Sequence, residues 1–233
     1  MHIDIIAFDA DDTLWENELL YQEAQTKLKV ILSPWQSFKT IDRALFETEQ
    51  RNMPIYGYGI KAFMLSMIET AIRISDSEIT GHEISQILNL GQSMLRSEMT
   101  LRPHAEETLE TLSQKYTLMM ITKGDLLDQS AKLERSGLAS FFKYSEIVND
   151  KTIDTYIDII RKYNLDPKNF IMVGNSLRSD VQPILELGGN AIFIPADMTW
   201  EHESVPDFNG NSKGFFELEH LGQLPDLIAG FEE

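Results

Sequence analysis

The chain contains no cysteine, which excludes a disulfide framework and thiolate zinc sites and leaves only oxygen or imidazole donors for any metal. Positive charge is also scarce: Lys and Arg number 20 against 37 Asp and Glu, a formal net charge of −17. That sign repels phosphate backbones and anionic headgroups, so neither nucleic acid nor a membrane surface is expected as a partner. No run of about 18 apolar residues occurs, and the opening MHIDIIAFDADD has neither the basic start nor the apolar length of a secretory signal. A soluble cytoplasmic protein is the expectation. Internal repeats and low-complexity tracts are missing too, which argues against a solenoid or a fibrous chain. What is present is an ordinary globular composition, 42% hydrophobic over 233 residues, enough for one large domain or two modest ones.

Residues 3–8, IDIIAF, form a short apolar run that stops at Asp9, Asp11 and Asp12, the pattern of a buried strand leaving a sheet. From Glu16 to about Ser97 the apolar period becomes helical, with stripes at Leu20, Ala24 and Leu28, at Phe38, Ile41 and Leu45, at Ile60, Phe63 and Met67, and at Ile84, Ile87 and Leu95. Pro34, Pro54 and the Asp76–Thr80 turn separate these stripes, and Thr80 with Glu83 has the spacing of a capping box. Four helices are predicted. Beyond Pro103, helical segments near Leu126–Ser136, Thr155–Tyr163 and Val181–Leu187 alternate with apolar strands at Tyr116–Ile121, from Ser145, from Phe170 and from Ala191. Such alternation predicts a parallel sheet. The first strand precedes the helical block and the others follow it, so the block reads as an insertion. The expected fold class is α/β, a Rossmann-like parallel sheet core formed by residues 1–15 and 100–233, with an inserted all-helical domain over 16–99. The stretch Asp197–Lys213 reads as a surface loop.

In open parallel sheets, functional residues collect beyond the carboxyl ends of the strands. Those ends carry Asp9-Ala10-Asp11-Asp12-Thr13, then Thr122-Lys123-Gly124, then Asp150-Lys151-Thr152, then Gly174-Asn175-Ser176 with Asp180 close behind. In that order they resemble the four motifs of the haloacid dehalogenase superfamily, which holds many more phosphatases than dehalogenases. Asp9 to Thr13 is similar to the first motif, DxDxT; Thr122 to the second; Lys151 to the third; and Gly174 to Asp180 to the fourth, GDxxxxD, with Asn175 standing where the pattern has Asp. The resemblance implies that residues 16–99 are a helical cap. It also implies a Mg²⁺-dependent phosphomonoester hydrolase that acts on a small phosphorylated metabolite through an aspartyl phosphate. Asp9 would be the nucleophile and Asp11 the general acid and base. Thr122 and Lys151 would hold the phosphoryl oxygens, and Asp9, the Asp11 carbonyl, Asn175 and Asp180 would hold the metal. Trp15 and Tyr58 are candidates for contact with the substrate's leaving group.

Elementary chemistry reads the same residues in the same way. Attack on a phosphate ester needs a nucleophile, a proton for the departing alcohol, and positive charge at the phosphoryl oxygens. Hard oxygen donors suit Mg²⁺. Carbon–halogen hydrolysis on the same fold has no use for Asp11, because halide leaves without a proton. A phosphomutase would share the first steps, and a non-catalytic binding protein has only Asn175 in its favour. Lys123 and Ser176 read as structural. His82-Glu83 and His202-Glu203 lack the second histidine of a zinc-protease helix, and Gly57-Tyr58-Gly59 lacks the third glycine of a dinucleotide loop. The oligomeric state stays open, with a monomer favoured.

Overall fold

The computed structural model describes residues 2–196, 205, 208 and 210–231. It divides into two compact units, one comprising Met1–Glu18, Met99–Lys123 and Gln129–Glu233, the other Leu19–Glu98 with Gly124–Asp128.

The first unit is built on a six-stranded parallel sheet of order β3-β2-β1-β4-β5-β6, with β1 at Ile5–Phe8, β2 at Thr117–Lys123, β3 at Tyr144–Val148, β4 at Phe170–Gly174, β5 at Asn190–Phe193 and β6 at Phe215–Glu217. β1 lies between β2 and β4, Ile5 opposite Thr117 on one side and Phe170 on the other. Side chains of a strand point alternately to its two faces, and β1 follows this strictly. Ile6 and Phe8 join Leu118, Met120, Ile171 and Val173 on one face, under α5 (Ala105–Ser113) and α9 (Leu224–Gly230). Ile5 and Ala7 join Met119, Ile121, Phe170 and Met172 on the other, under α7 (Ile153–Tyr163) and α8 (Gln182–Glu186). Both faces being covered explains why these strands read as continuous apolar runs. Burying one such side chain as fully as Phe8 contributes roughly 1.5–3 kcal/mol. This is the α/β, Rossmann-like architecture. β6 and α9 were not expected: three residues are too few to display a period of two, and α9 carries Pro225 in its first turn.

The second unit contains α1 (Glu18–Leu32, entering from the first unit), α2 (Phe38–Tyr56), α3 (Ile60–Ile74) and α4 (Gly81–Leu95), packed on one apolar cluster that includes Leu28, Leu32, Ile41, Phe63, Met67 and Ile87. Thr80 and Glu83 form the capping box, the Thr80 N–H donating to Glu83 Oε2 at 2.7 Å. Pro54, expected to separate helices, instead lies inside the last turn of α2. A proline there removes one hydrogen bond near a helix end, which is far cheaper than in the middle. The helix stops three residues later at Gly57, whose φ of 72° suits a residue without a side chain. Among the described residues no helix is long and apolar enough to cross a membrane. Most of the loop expected over Asp197–Lys213 lies outside the described residues, as does His202-Glu203.

Candidate active site

Because the strands are parallel, the segments following β1, β2, β3 and β4 leave the sheet at one edge. The Asp9 N–H continues the ladder to the Val173 carbonyl at 2.8 Å, and the chain then turns tightly, Leu14 N–H donating to the Ala10 carbonyl at 2.8 Å. Asp12 sits in the left-handed region at φ 61°, a conformation that aspartate tolerates better than most residues. Its carboxylate accepts from the N–H groups of Asn17 and Glu18 at 2.8 and 3.0 Å, capping the start of α1. Burial pushes the Asp12 carboxyl up to about 6, even though those two N–H groups pull it down.

Asp9 is buried, and its Oδ1 is ion-paired with Lys151 Nζ. Lys151 lies just before Thr152, the N-cap of α7, and its ammonium also binds Asp180 Oδ1 at 2.6 Å. Two buried carboxylates therefore share one ammonium. Burial pushes the Asp9 carboxyl up to about 7, Lys151 opposes that rise, and Asp180 adds to it. For Lys151, burial disfavours the charge, but Asp180 and Asp9 outweigh burial and hold the ammonium above its ordinary value.

Asp180 reaches this position through a π-helical turn over Leu177–Val181, where only the start of an ordinary helix near Val181 was expected. Ser176 caps that turn, its Oγ accepting from Ser179 N–H at 2.9 Å, and Tyr156 donates its hydroxyl to the Ser179 carbonyl at 3.0 Å. The Asp180 side chain folds back across Gly174: a β-carbon there would stand 2.7 Å from Asp180 Cβ and closer still to its carboxylate. Gly174 has no positive φ, so what excludes a side chain is crowding. Lys123 braces the same turn, Nζ to Ser179 Oγ at 2.9 Å.

Thr13 Oγ lies 3.1 Å from Asp9 Oδ2 and 3.2 Å from Asn175 Oδ1. A hydroxyl has one proton, so these two acceptors compete for a single donor. Among the described residues no three Asp, Glu or His side chains gather as a metal-ligand group. The donors at hand are the carboxylates of Asp9 and Asp180 and the amide oxygen of Asn175, all hard oxygens, and with one ammonium between the two carboxylates a net negative charge remains. That donor set fits a hard divalent cation.

Asp11 faces a different group. Its carboxylate accepts from Trp15 Nε1 at 2.7 Å, Gln129 Nε2 at 2.8 Å and Lys132 Nζ at 3.0 and 3.1 Å. Trp15, expected to touch a leaving group, is instead fully buried in the core cluster beneath β1 and serves Asp11 through its indole N–H. Its backbone forms an isolated bridge with Leu101. Thr122, next to last in β2, is buried, with its hydroxyl 3.5 Å from the Lys123 carbonyl. Tyr58 belongs to the helical unit, in the turn between α2 and α3. Gln129 and Lys132, on α6 (Leu126–Ser136), escaped the sequence reading because they belong to no motif and a helical stripe normally turns its apolar side inward.

A family model described as haloacid dehalogenase-like hydrolase matches residues 3–188. No curated protein matches the chain. Among solved structures, a haloacid dehalogenase-like family hydrolase from Xanthomonas campestris is 33% identical, with 98% of this chain and 91% of that one covered and a TM-score of 0.88. A 2-haloacid dehalogenase from Pseudomonas syringae pv. Tomato DC3000 shares 23% identity over 98% and 99% of the two chains at a TM-score of 0.61. A predicted phosphoglycolate phosphatase from Haemophilus somnus 129PT shares 17% over 98% and 99% at 0.63, and both of these likenesses speak for the fold alone.

Proposed function

Because the chain belongs to the haloacid dehalogenase-like hydrolases, we propose that it hydrolyses phosphomonoesters of small metabolites, with Asp9 as nucleophile. The observation that carries this reading is the second carboxylate. Asp11, two residues from buried Asp9, is held by four N–H···O contacts, a built position that the departure of an alcohol requires and the departure of a halide does not.

An Asp9 oxygen attacks phosphorus, the bond from phosphorus to the alcohol oxygen breaks, and that oxygen takes a proton from Asp11. Water then attacks the phosphorus of the aspartyl phosphate, Asp11 receives the water's proton, and the Asp9 carboxylate is released. Lys151 and Thr122 donate to the phosphoryl oxygens. Mg²⁺ held by Asp9, the Asp11 carbonyl, Asn175 and Asp180 would supply the positive charge that offsets repulsion between Asp9 and an anionic substrate.

A second reading, carbon–halogen hydrolysis, draws on Asn175, an amide where a further carboxylate would bind a metal more strongly, and on the dehalogenase among the similar folds. The two are separated by measuring phosphate release from p-nitrophenyl phosphate with and without Mg²⁺ and chloride release from 2-chloropropionate. Mg²⁺-dependent phosphate release is the expected result; chloride release without phosphate release would overturn the proposal.

A further inference from the structure

We infer that Lys132, with Gln129 beside it, is a positioning residue that holds the Asp11 carboxylate for proton transfer and ties it to the segment leading into α1. The inference rests on the phosphatase reading, in which Asp11 receives the proton of the attacking water.

The starting observation is the polar side chains that α6 buries. Leu126 and Leu127 are 68% and 70% exposed, while Asp128, Gln129 and Lys132 are at most 5% exposed. Taking an ammonium out of water is costly unless it is closely paired. Of the three leucines of α6 only Leu133 is buried, so specific bonds must hold Asp128, Gln129 and Lys132 in beside it.

Those bonds converge on Asp11. Lys132 Nζ contacts both carboxylate oxygens and also Asn17 Oδ1 at 2.8 Å. Gln129 Nε2 donates to Asp11 Oδ2 and, at 2.8 Å, to the Lys123 carbonyl. Its amide cannot be reversed, since that would set its oxygen against two other oxygens. The orientation leaves Gln129 Oε1 buried with no hydrogen-bond partner among the described residues, a cost accepted alongside the grip on Asp11. Asn17, the other end of the Lys132 contact, precedes α1, and its N–H is one of the two that Asp12 accepts. One buried ammonium thus spans the proton carrier and the start of α1.

In the second half of the reaction, the water oxygen bonds to phosphorus as its proton passes to Asp11, and the electron pair of the breaking phosphorus–oxygen bond stays with Asp9. Loss of Lys132 leaves Asp11 free to leave that path. The first half needs Asp11 little when the leaving group is p-nitrophenolate, a weak base.

The test is steady-state and stopped-flow kinetics of Lys132→Met with p-nitrophenyl phosphate and Mg²⁺. General-base help is worth roughly 10²–10⁴-fold, and losing part of it should lower kcat about tenfold while kcat/KM stays within about threefold. KM therefore falls with kcat, and a burst of p-nitrophenolate equal to the enzyme concentration precedes the slow phase. Lys132→Arg restores at least half of kcat. In an Asp11→Asn background, Lys132→Met causes no further loss of kcat. Should Lys132→Met fail to fold, Gln129→Met carries the same test, with kcat down about threefold at unchanged kcat/KM. Parallel loss of kcat and kcat/KM without a burst, or a full extra loss in the Asp11→Asn background, overturns the role of Lys132 and leaves the phosphatase reading standing. A wild-type enzyme that releases no p-nitrophenolate overturns both.

Discussion

Gly174→Ala tests the geometry of the buried charge cluster most directly. The new methyl group would lie 2.7 Å from Asp180 Cβ, where ordinary contact begins at 3.4 Å, so the side chain must retreat by at least about 0.7 Å and its carboxylate by more. Asp180 cannot yield without loss, because its Oδ2 accepts from Ser176 N–H at 3.0 Å and its Oδ1 holds Lys151 at 2.6 Å. A retreat of that size stretches the first bond past hydrogen-bonding range. A hydrogen bond to a charged group is worth about 1.5–3 kcal/mol, and breaking a buried ion pair outright costs about 3–5 kcal/mol. Displacement is gentler than removal, so Gly174→Ala should destabilise by about 2–4 kcal/mol, read as a shift in urea unfolding of the metal-free protein. In an Asp180→Gly background the same substitution should cost less than about 1 kcal/mol, since the group it strikes is gone. A single-variant loss below about 1 kcal/mol, or an equal loss in both backgrounds, would show that Asp180 does not lie across Gly174.

Asp9→Asn should abolish phosphate release while leaving unfolding free energy within about 1 kcal/mol of wild type at pH 8, because the substitution removes a buried charge and Lys151 keeps Asp180; retained turnover would remove Asp9 as nucleophile. Asn175→Asp should lower the Mg²⁺ concentration for half-maximal activity by about tenfold, as the added charge strengthens attraction to a hard cation, and an unchanged or raised requirement would show that position 175 is not a ligand. For Asp12, burial lifts the carboxyl from 3.8 to about 6, so the folded state binds the proton more tightly than the unfolded chain and stability falls as pH rises across that window. Asp12→Asn keeps the acceptor without the charge, so its stability relative to wild type should rise between pH 4 and 7 in urea titrations, and a fall would contradict the assignment. Asp12→Ala loses the cap of α1 and sets alanine at φ 61°, a cost of about 2 kcal/mol in the same assay.

The strands were legible where burial on both faces leaves an uninterrupted apolar run, as at Phe170–Gly174, and the four helices where one face repeats, as at Ile60, Phe63, Met67 and Ala71. Asp9 was legible because a charged group directly after a buried strand is conspicuous against its surroundings, and Lys151 and Asp180 because they stand at the matching places of the motifs that the strand ends resemble. The parts that stayed hidden share a cause: they depend on contacts between residues distant in sequence. Nothing in the local pattern at Gln129 and Lys132 shows that their partner lies on the loop after β1, and periodicity alone would turn Leu126 and Leu127 inward. The π turn before α8 carries the Asp180–Lys151 pair, and Trp15 lies buried with its indole N–H on Asp11, neither of which leaves a periodic trace.

The central place of β1 has a consequence for how the chain assembles. Its partners β2 and β4 begin at Thr117 and Phe170, so β1 is made first and waits longest, with both edges unpaired. A short apolar strand in that state is a template for pairing with another chain. The helices between β1 and β2 possess an apolar core of their own and, once formed, shorten the loop that must close, although closure entropy grows only slowly with length. Until then the protection lies in the residues directly after the strand. Three carboxylates within four positions, Asp9, Asp11 and Asp12, put like charges at the end of every copy of IIAF and repel strand from strand. The acidic cluster of the candidate site thus also sets like charges beside the strand most exposed to mispairing.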